Sequence, residues 1–254
     1  MTAGEFTGRV VLVTGSSRGI GAAIARAFAE RGAQVAVHGR DAAALAAVRE
    51  EIETAGGKAI AVTGDVTRFA ELERMRGEIE RALGPVDVLV ANAGGNYTMP
   101  GPLEEASEEG WRASLDGNLT ATFLTIKCFL PGMKARGKGN IITMSSAAAR
   151  RPHPHSPVPY AAAKAGIELL TRDLAAQAGP SGIRANCIAP EIILTEENLR
   201  RIPEAQRRSL AVSHPIPRLG TPDDVARAAV FLASEESAWI TGLVLDVAGG
   251  AVMA

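Results

Sequence analysis

Short apolar runs alternate along the chain with longer segments in which apolar residues recur at helical spacing. The apolar runs have the length and composition of strands buried on both faces of a sheet. They predict seven strands, at 10–13, 34–38, 59–62, 86–91, 140–144, 183–189 and 243–247. The segments between them predict helices, at 20–32, 42–54, 68–83, 111–133, 160–177 and 223–233.

Strands that alternate with helices predict a parallel sheet, because parallel strands need crossover connections of helix length. No Pro/Gly/Ser-rich linker, charge block or internal repeat divides the 254 residues. We therefore expect one α/β domain over residues 1–254, with a doubly wound parallel sheet and helices on both faces. Ligands of such sheets bind at the carboxyl ends of the strands.

The first strand leads into a glycine-rich turn, TGSSRGIG at residues 14–21. Glycine lets the backbone approach a diphosphate closely, and the N-terminus of the following helix favours negative charge. The glycine spacing differs from the common GxGxxG fingerprint. The flanking strand and helix nevertheless predict a Rossmann-type dinucleotide site. Its candidate residues in this turn are Gly15, Ser17, Arg18, Gly19, Ile20 and Gly21.

The end of the second predicted strand bears on which dinucleotide binds. NAD-binding folds place an acidic residue there for the ribose 2′-hydroxyl, whereas this chain has Arg40. A guanidinium matches a 2′-phosphate, and Arg18 can supply a second cation. Asp41 comes one residue too late and is expected to cap the next helix. We expect NADP(H) in preference to NAD(H), with a solvated Arg40 as the alternative, and Asp65 and Val66 beside the adenine.

Tyr160 and Lys164 lie four residues apart at the start of a predicted helix, so their side chains share one face. A free tyrosine has a pKa of about 10, and a nearby ammonium lowers it by favouring the phenolate. The two residues are therefore a candidate general acid/base pair. The preceding strand ends in Ser145 and Ser146, and a serine there can donate to a carbonyl oxygen as negative charge develops.

Together these segments resemble the short-chain dehydrogenase/reductase family, and most of all its 3-oxoacyl-(acyl carrier protein) reductases. The resemblance covers almost the whole chain. The segments that carry it are TGSSRGIG at 14–21, DV at 65–66, NAG at 92–94, Asn118, the serine at the fifth strand tip, YAAAK at 160–164, IAP at 188–190, and the C-terminal segment RLGTPDDVARAAVFLASEESAWITG.

The resemblance implies roles for four catalytic residues. Tyr160 would protonate the carbonyl oxygen. Lys164 would lower the pKa of Tyr160 and hold the nicotinamide ribose. Ser146 would polarise the substrate carbonyl, and Asn118 would hold a water that relays protons to Lys164. The family places the serine thirteen residues before the tyrosine, where this chain has Ala147. We choose Ser146 over Ser145 and assume one extra residue in the loop that follows.

The resemblance also implies further cofactor contacts beyond the glycine turn. Besides Tyr160 and Lys164, these are Asn92, Ala93, Gly94, Pro190, Ile193 and Thr195. Glu191 stands where the family usually has glycine, and it either selects a cationic or hydroxylated substrate or points to solvent. Residues at about 191–215 read as a mobile lid.

The implied function is NADP(H)-dependent interconversion of a ketone and a secondary alcohol, as a carbonyl reductase of the 3-oxoacyl type. Those reductases tend to have an arginine that docks the carrier protein at the position where this chain has Ala176. This difference argues against a 3-oxoacyl-(acyl carrier protein) reductase. The alternatives are an NAD-dependent dehydrogenase of a sugar, polyol or other secondary alcohol, and a non-catalytic cofactor-binding regulatory protein. The presence of Asn118, Ser146, Tyr160 and Lys164 together argues against the non-catalytic alternative. The resemblance also implies a homo-oligomer, a tetramer or a dimer.

Charge and composition narrow the remaining possibilities. A net charge of −1 gives no field that points to nucleic acid or an anionic membrane, and no apolar run is long enough to span a bilayer. Two cysteines form no metal or disulfide pattern, and we expect a soluble cytoplasmic protein with a small-molecule substrate. His153 and His155 lack a third ligand, so no metal is expected. Arg150 and Arg151 either meet an anionic substrate or are solvated.

Overall fold

A computed structural model describes residues 4–152 and 156–253. Within these ranges seven parallel strands form one sheet, in the order β3-β2-β1-β4-β5-β6-β7. The strands are β1 (Val10–Val13), β2 (Gln34–Gly39), β3 (Lys58–Thr63), β4 (Val88–Ala91), β5 (Gly139–Met144), β6 (Ile183–Pro190) and β7 (Val244–Val247). All seven predicted strands are present, and β4 begins two residues later than predicted.

The helices follow the predicted alternation and add short ones near the strand ends. They are α1 (Gly19–Ala29), α2 (Ala42–Thr54), α3 (Phe69–Ala82), α4 (Glu108–Leu115), α5 (Ala121–Arg136), α6 (Ala147–Arg150), α7 (Val158–Ala178), α8 (Glu196–Arg201), α9 (Glu204–Val212) and α10 (Pro222–Ala233). Asp41 caps α2 as predicted, since its side chain accepts from the Ala44 nitrogen. None of the helices in the described ranges is long and apolar enough to cross a membrane.

The sheet separates two hydrophobic cores, because successive strand side chains point to opposite faces. Val11 and Val13 of β1 pack on one face with α1, α2 and α10. Val10 and Leu12 pack on the other face with α3, α5 and α7. The predicted doubly wound sheet with helices on both faces is confirmed.

The helix predicted over residues 111–133 is not one regular helix. It begins at Glu108, ends at Arg136, and is interrupted by a π-helical turn at Asp116–Thr120. There the Ala121 nitrogen bonds to the Asp116 carbonyl, five residues back. The Asn118 amide donates to the Ser114 carbonyl at 2.9 Å, so a side chain takes part in satisfying the altered backbone. The prediction of an uninterrupted helix was wrong, since the apolar spacing carries no sign of the extra residue.

Candidate active site

A cleft of about 820 Å³ opens at the carboxyl ends of the strands. Every site residue expected from the sequence lines it except Asn118, which is fully buried behind the wall. The walls also contain residues that were not among the candidate site residues. Among them are Tyr97, Asp116, Gly117, Glu196, Glu197 and Asn198. Tyr97 lies in the polar stretch after the NAG segment, and only that location could have drawn attention to it.

The backbone atoms around the glycine turn lie so close together that they leave no room for side chains at Gly15 and Gly21. Gly15 and Gly19 have φ of +65° and +56°, which side-chain-bearing residues rarely adopt. A Cβ at Gly21 would lie 2.3 Å from the Gly15 carbonyl oxygen. Because the turn leads into the N-terminus of α1, it fits a dinucleotide diphosphate.

Asn92 shapes this turn from the end of β4. Its Nδ2 donates to the carbonyls of Thr14 and Gly15 at 2.9 and 3.1 Å. The Thr14 hydroxyl in turn accepts from the backbone nitrogens of Asn92 and Ala93. These bonds tie the NAG segment to the glycine turn, so the two predicted cofactor segments form one rigid edge of the cleft.

The cations expected near a 2′-phosphate differ in their surroundings. Arg18 donates to the Asp41 carboxylate at 3.0 Å, so part of its charge is already balanced. Arg40 is exposed at the cleft wall and has no ion pair among the described residues. On the adjacent wall, burial opposes the charge of Asp65, but hydrogen bonds from Thr67 lower its pKa. The charge of Arg40 also helps to lower the pKa of Asp65, but among the described residues Arg40 is in no ion pair, whereas Arg18 is.

Tyr160, Lys164 and Ser146 come together at the other end of the cleft. The Lys164 Nζ atom lies 5.5 Å from the Tyr160 ring centroid and donates to the Met144 carbonyl at 2.8 Å. Ser146 lines the same end of the cleft as Tyr160, close enough for its hydroxyl to lower the pKa of Tyr160. It also accepts from the Ala148 nitrogen and so caps α6. The tyrosine, the serine and the lysine therefore line the same part of the cleft.

Ser145 turns away from Tyr160. Its hydroxyl donates to the Glu168 carboxylate at 2.8 Å and approaches the Lys164 carbonyl at 3.2 Å. It is buried, although part of the residue lines the cleft. Of the two serines at this strand end, the structure brings Ser146 to the tyrosine.

The electrostatics of the pair differ from the expectation. Burial raises the pKa of Tyr160, and its hydrogen bond with Ser146 lowers that pKa only in part. Burial also lowers the pKa of Lys164 to about 8. The Lys164 nitrogen is directed at the Met144 carbonyl. Lys164 can gain or lose a proton close to neutral pH.

Asn118 braces the wall of the cleft. Its Nδ2 donates to the carbonyls of Gly95 and Ser114, both at 2.9 Å, and its Oδ1 accepts from the Gly95 nitrogen. A Cβ on Gly94 would lie 2.5 Å from that Oδ1 and 3.5 Å from the Lys164 Nζ. Asn118 therefore fixes the loop after β4 close to Lys164.

Two expectations about the rim of the cleft were wrong. Glu191 does not point to solvent: its side chain is only 8% exposed and its carboxylate lies 3.9 Å from Arg151. Arg150 is neither solvated nor placed for an anionic substrate, because it is buried against Glu168 and Asp246. Arg151 is half exposed.

Metal ligation has no candidate in the part of the chain that the structure describes, where no three His, Cys, Asp or Glu side chains cluster suitably. His153 and His155 lie outside the described residues.

The segment at 191–215 contains α8 and α9, neither of which has a buried residue. Thr195 caps α8, and its methyl carbon lies 3.2 Å from where a Cβ on Gly19 would be. This segment therefore approaches the glycine turn, and its residues Ile193 and His214 are buried although α8 and α9 are not.

Comparison with known proteins agrees with this geometry. A family model described as Enoyl-(Acyl carrier protein) reductase matches residues 15–252. Glucose 1-dehydrogenase of Gluconobacter oxydans is 39% identical over 97% of this chain and 92% of its own length. L-fucose dehydrogenase of Oryctolagus cuniculus is 38% identical over 97% of this chain and 86% of its own.

A solved structure is similar over nearly the whole length. It is a 3-oxoacyl-[acyl-carrier protein] reductase with bound NAD from Brucella melitensis. The two share a TM-score of 0.90 and 37% identity, over 99% of this chain and 94% of the other. This chain belongs to the short-chain dehydrogenase/reductase family. It is an NAD(P)-dependent oxidoreductase that acts on CH–OH and C=O groups.

Proposed function

We propose that the protein interconverts a ketone and a secondary alcohol with NADP(H) in preference to NAD(H), as a carbonyl reductase of the 3-oxoacyl type. The observation that carries the proposal is that Ser146, Tyr160 and Lys164 line one end of a cleft whose other end is the glycine turn, with the Lys164 Nζ atom 5.5 Å from the Tyr160 ring centroid.

The chain's own residues supply the acid/base chemistry. Tyr160 donates its hydroxyl proton to the carbonyl oxygen during reduction and accepts it during oxidation. Ser146 donates a hydrogen bond to the same oxygen as negative charge develops there. Lys164, with a pKa of about 8, exchanges protons with solvent and returns one to Tyr160. Asn118 holds the neighbouring loop, and through it the space in which a relaying water would sit.

The cofactor site is built from the same cleft. The glycine turn would hold the diphosphate, and Asp65 with Val66 would flank the adenine. The nicotinamide half would lie between the residues at 92–94 and Pro190, Ile193 and Thr195. The bound dinucleotide supplies or accepts the hydride. We assign the preference for the 2′-phosphate to Arg40, because Arg18 already shares its charge with Asp41.

A second candidate is oxidation of a sugar or polyol. Two relatives are named glucose 1-dehydrogenase and L-fucose dehydrogenase, and the similar solved structure has NAD bound. The Glu191 carboxylate in the cleft wall favours this candidate, since it can accept hydrogen bonds from substrate hydroxyls.

We further propose a single domain whose residues 191–215 close over the bound ligands, located in the cytoplasm and assembled as a homotetramer or dimer. Apolar side chains at the surface support the assembly, because Trp239 is fully exposed and Leu169 and Phe123 are about half exposed.

The test is turnover by the purified protein, with NADPH and NADH against β-ketoesters, β-ketoacyl thioesters, diketones and keto-sugars, and with NADP⁺ and NAD⁺ against sugars and polyols. Tyr160→Phe should bind cofactor but lose at least about 100-fold in turnover, the scale of general acid–base catalysis. Tyr97→Phe removes the other tyrosine hydroxyl of the cleft and should keep most of the activity.

Reduction with NADPH that Tyr160→Phe abolishes would support the proposal. Turnover confined to NAD⁺ with sugars or polyols would favour the second candidate. Cofactor binding without turnover of any of these compounds, or full activity in Tyr160→Phe, would contradict the proposed chemistry.

A further inference from the structure

A buried cluster of charges lies behind the catalytic residues. Arg150 donates to Glu168 at 3.0 Å, and it meets both carboxylate oxygens of Asp246 at 3.2 and 3.4 Å. The side chains of Arg150, Glu168 and Asp246 are only 16, 8 and 17% exposed. Taking three charges out of water is costly, so such a cluster needs an explanation beyond solubility.

The cluster continues to the strand end that carries the serines. One carboxylate oxygen of Glu168 accepts from Arg150, and the other accepts from the Ser145 hydroxyl at 2.8 Å. Ser145 also reaches the Lys164 backbone carbonyl, one turn before Glu168 on α7. A continuous chain of contacts therefore joins β7 to the residue directly before Ser146.

Arg150 and Ser146 are also joined through a helix. Ser146 caps the start of α6, and Arg150 is its last residue. A helix of four residues has no stability of its own, so its orientation depends on what holds its two ends. Ser145 holds the first end on α7, and Arg150 holds the second between α7 and β7.

We propose that Arg150, held by Glu168 and Asp246, is a positioning residue that, through α6, keeps the Ser146 hydroxyl at the end of the cleft that Tyr160 also lines. The inference rests on the proposed roles of Ser146 and Tyr160. Burial opposes the charge of Arg150, but the two carboxylates raise its pKa, so the guanidinium stays charged. Removing the guanidinium leaves two buried carboxylates that repel each other, which releases the end of α6.

The first experiment measures catalysis in Arg150→Met, Arg150→Lys and Ser146→Ala. Arg150→Met should lower kcat roughly 10- to 100-fold, since a misplacement of about 1 Å can cost about 100-fold. Cofactor affinity should stay close to that of the wild type, and Arg150→Lys should recover part of kcat. Asp246→Asn keeps the shape of the side chain and should show a smaller loss of kcat. This variant tests the proposal if Arg150→Met does not fold.

The second experiment needs no substrate. The chain has two tyrosines, so in a Tyr97→Phe background phenolate absorbance after stopped-flow pH jumps reports Tyr160 alone. Because the Ser146 hydrogen bond lowers the pKa of Tyr160, Ser146→Ala should raise that pKa. Arg150→Met should raise it in the same direction, whereas a residue that serves stability alone should leave it unchanged.

Arg218→Met is the matched control, because Arg218 pairs in the same two-bonded way with Asp224 outside the cleft. It should leave kcat and the pKa of Tyr160 unchanged. If Arg150→Met and Asp246→Asn behave like Arg218→Met in both measurements, the positioning role is overturned. If Tyr160→Phe keeps full turnover, the proposed function fails instead, and the absorbance result still decides the role of Arg150.

Discussion

The Nδ1 atom of His38 accepts a hydrogen bond from the backbone nitrogen of Gly15 at 3.3 Å. Its Nε2 atom lies 3.1 Å from the Gly64 carbonyl and donates to it. Because Nδ1 accepts a hydrogen bond from Gly15, it carries no proton, and the proton of the neutral ring is assigned to Nε2. Burial lowers the pKa of His38 to about 4. A neutral imidazole therefore joins β2 to the glycine turn and to the residue after β3.

The first prediction concerns acid stability. Unfolded His38 binds a proton below about pH 6.5, and folded His38 binds it only near pH 4. The free energy of unfolding should therefore fall as the pH drops from 6.5 to 4, by about 3 kcal/mol from this group. Urea unfolding at several pH values measures the fall. His38→Asn keeps an acceptor but does not titrate, so its loss should be smaller, and parallel losses in both proteins would contradict the assignment.

The second prediction separates the two dinucleotides. Arg40→Ala should weaken NADPH binding roughly 10- to 100-fold and change NADH binding little, because a charge-assisted bond to a phosphate is worth about 1.5–3 kcal/mol. Fluorescence titration with each cofactor measures the two constants. Arg18→Ala should have the smaller effect, since Arg18 is already paired with Asp41. Equal losses for NADPH and NADH in Arg40→Ala would make Arg40 a structural residue.

The third prediction tests the glycine turn. Gly21→Ala places a methyl group 2.3 Å from the Gly15 carbonyl oxygen, so the turn must open. We expect a loss of stability of about 1–3 kcal/mol and a matching loss of cofactor affinity. Gly77→Ala in α3 meets nothing within 4 Å and should stabilise the protein by roughly 0.5–1 kcal/mol. Thermal unfolding with and without cofactor compares the two, and wild-type behaviour of Gly21→Ala would refute the narrow turn.

The fourth prediction concerns the substrate. If a sugar or polyol binds at Glu191, Glu191→Gln should raise KM roughly tenfold or more, as a charge-assisted hydrogen bond is lost, and should change kcat little. The KM for simple β-ketoesters should not change. Steady-state kinetics with both substrate classes decides this, and Arg151→Gln tests whether the neighbouring cation contributes. An unchanged KM for every hydroxylated substrate would remove Glu191 from substrate binding.

The sequence predicted what depends on neighbouring residues. β1 lies at Val10–Val13 as predicted, and Asp41 caps α2, because an apolar run and a capping side chain act locally. The setting of Arg150 could not be predicted, since its partners Glu168 and Asp246 lie 18 and 96 residues further along the chain. Ser145 and Ser146 are equivalent in sequence, and only the path of the chain into α6 separates them.

The π-helical turn at Asp116–Thr120 makes the length of this segment as important as its composition. One extra residue advances a helix by about 100°, so the turn rotates the contact face of α4 relative to α5. Deleting one residue here would restore a regular helix, yet it would turn α4 away from α7 and carry the Asn118 amide off the Gly95 loop. Single-residue insertions and deletions should therefore be tolerated far less here than in the exposed segment around α8 and α9.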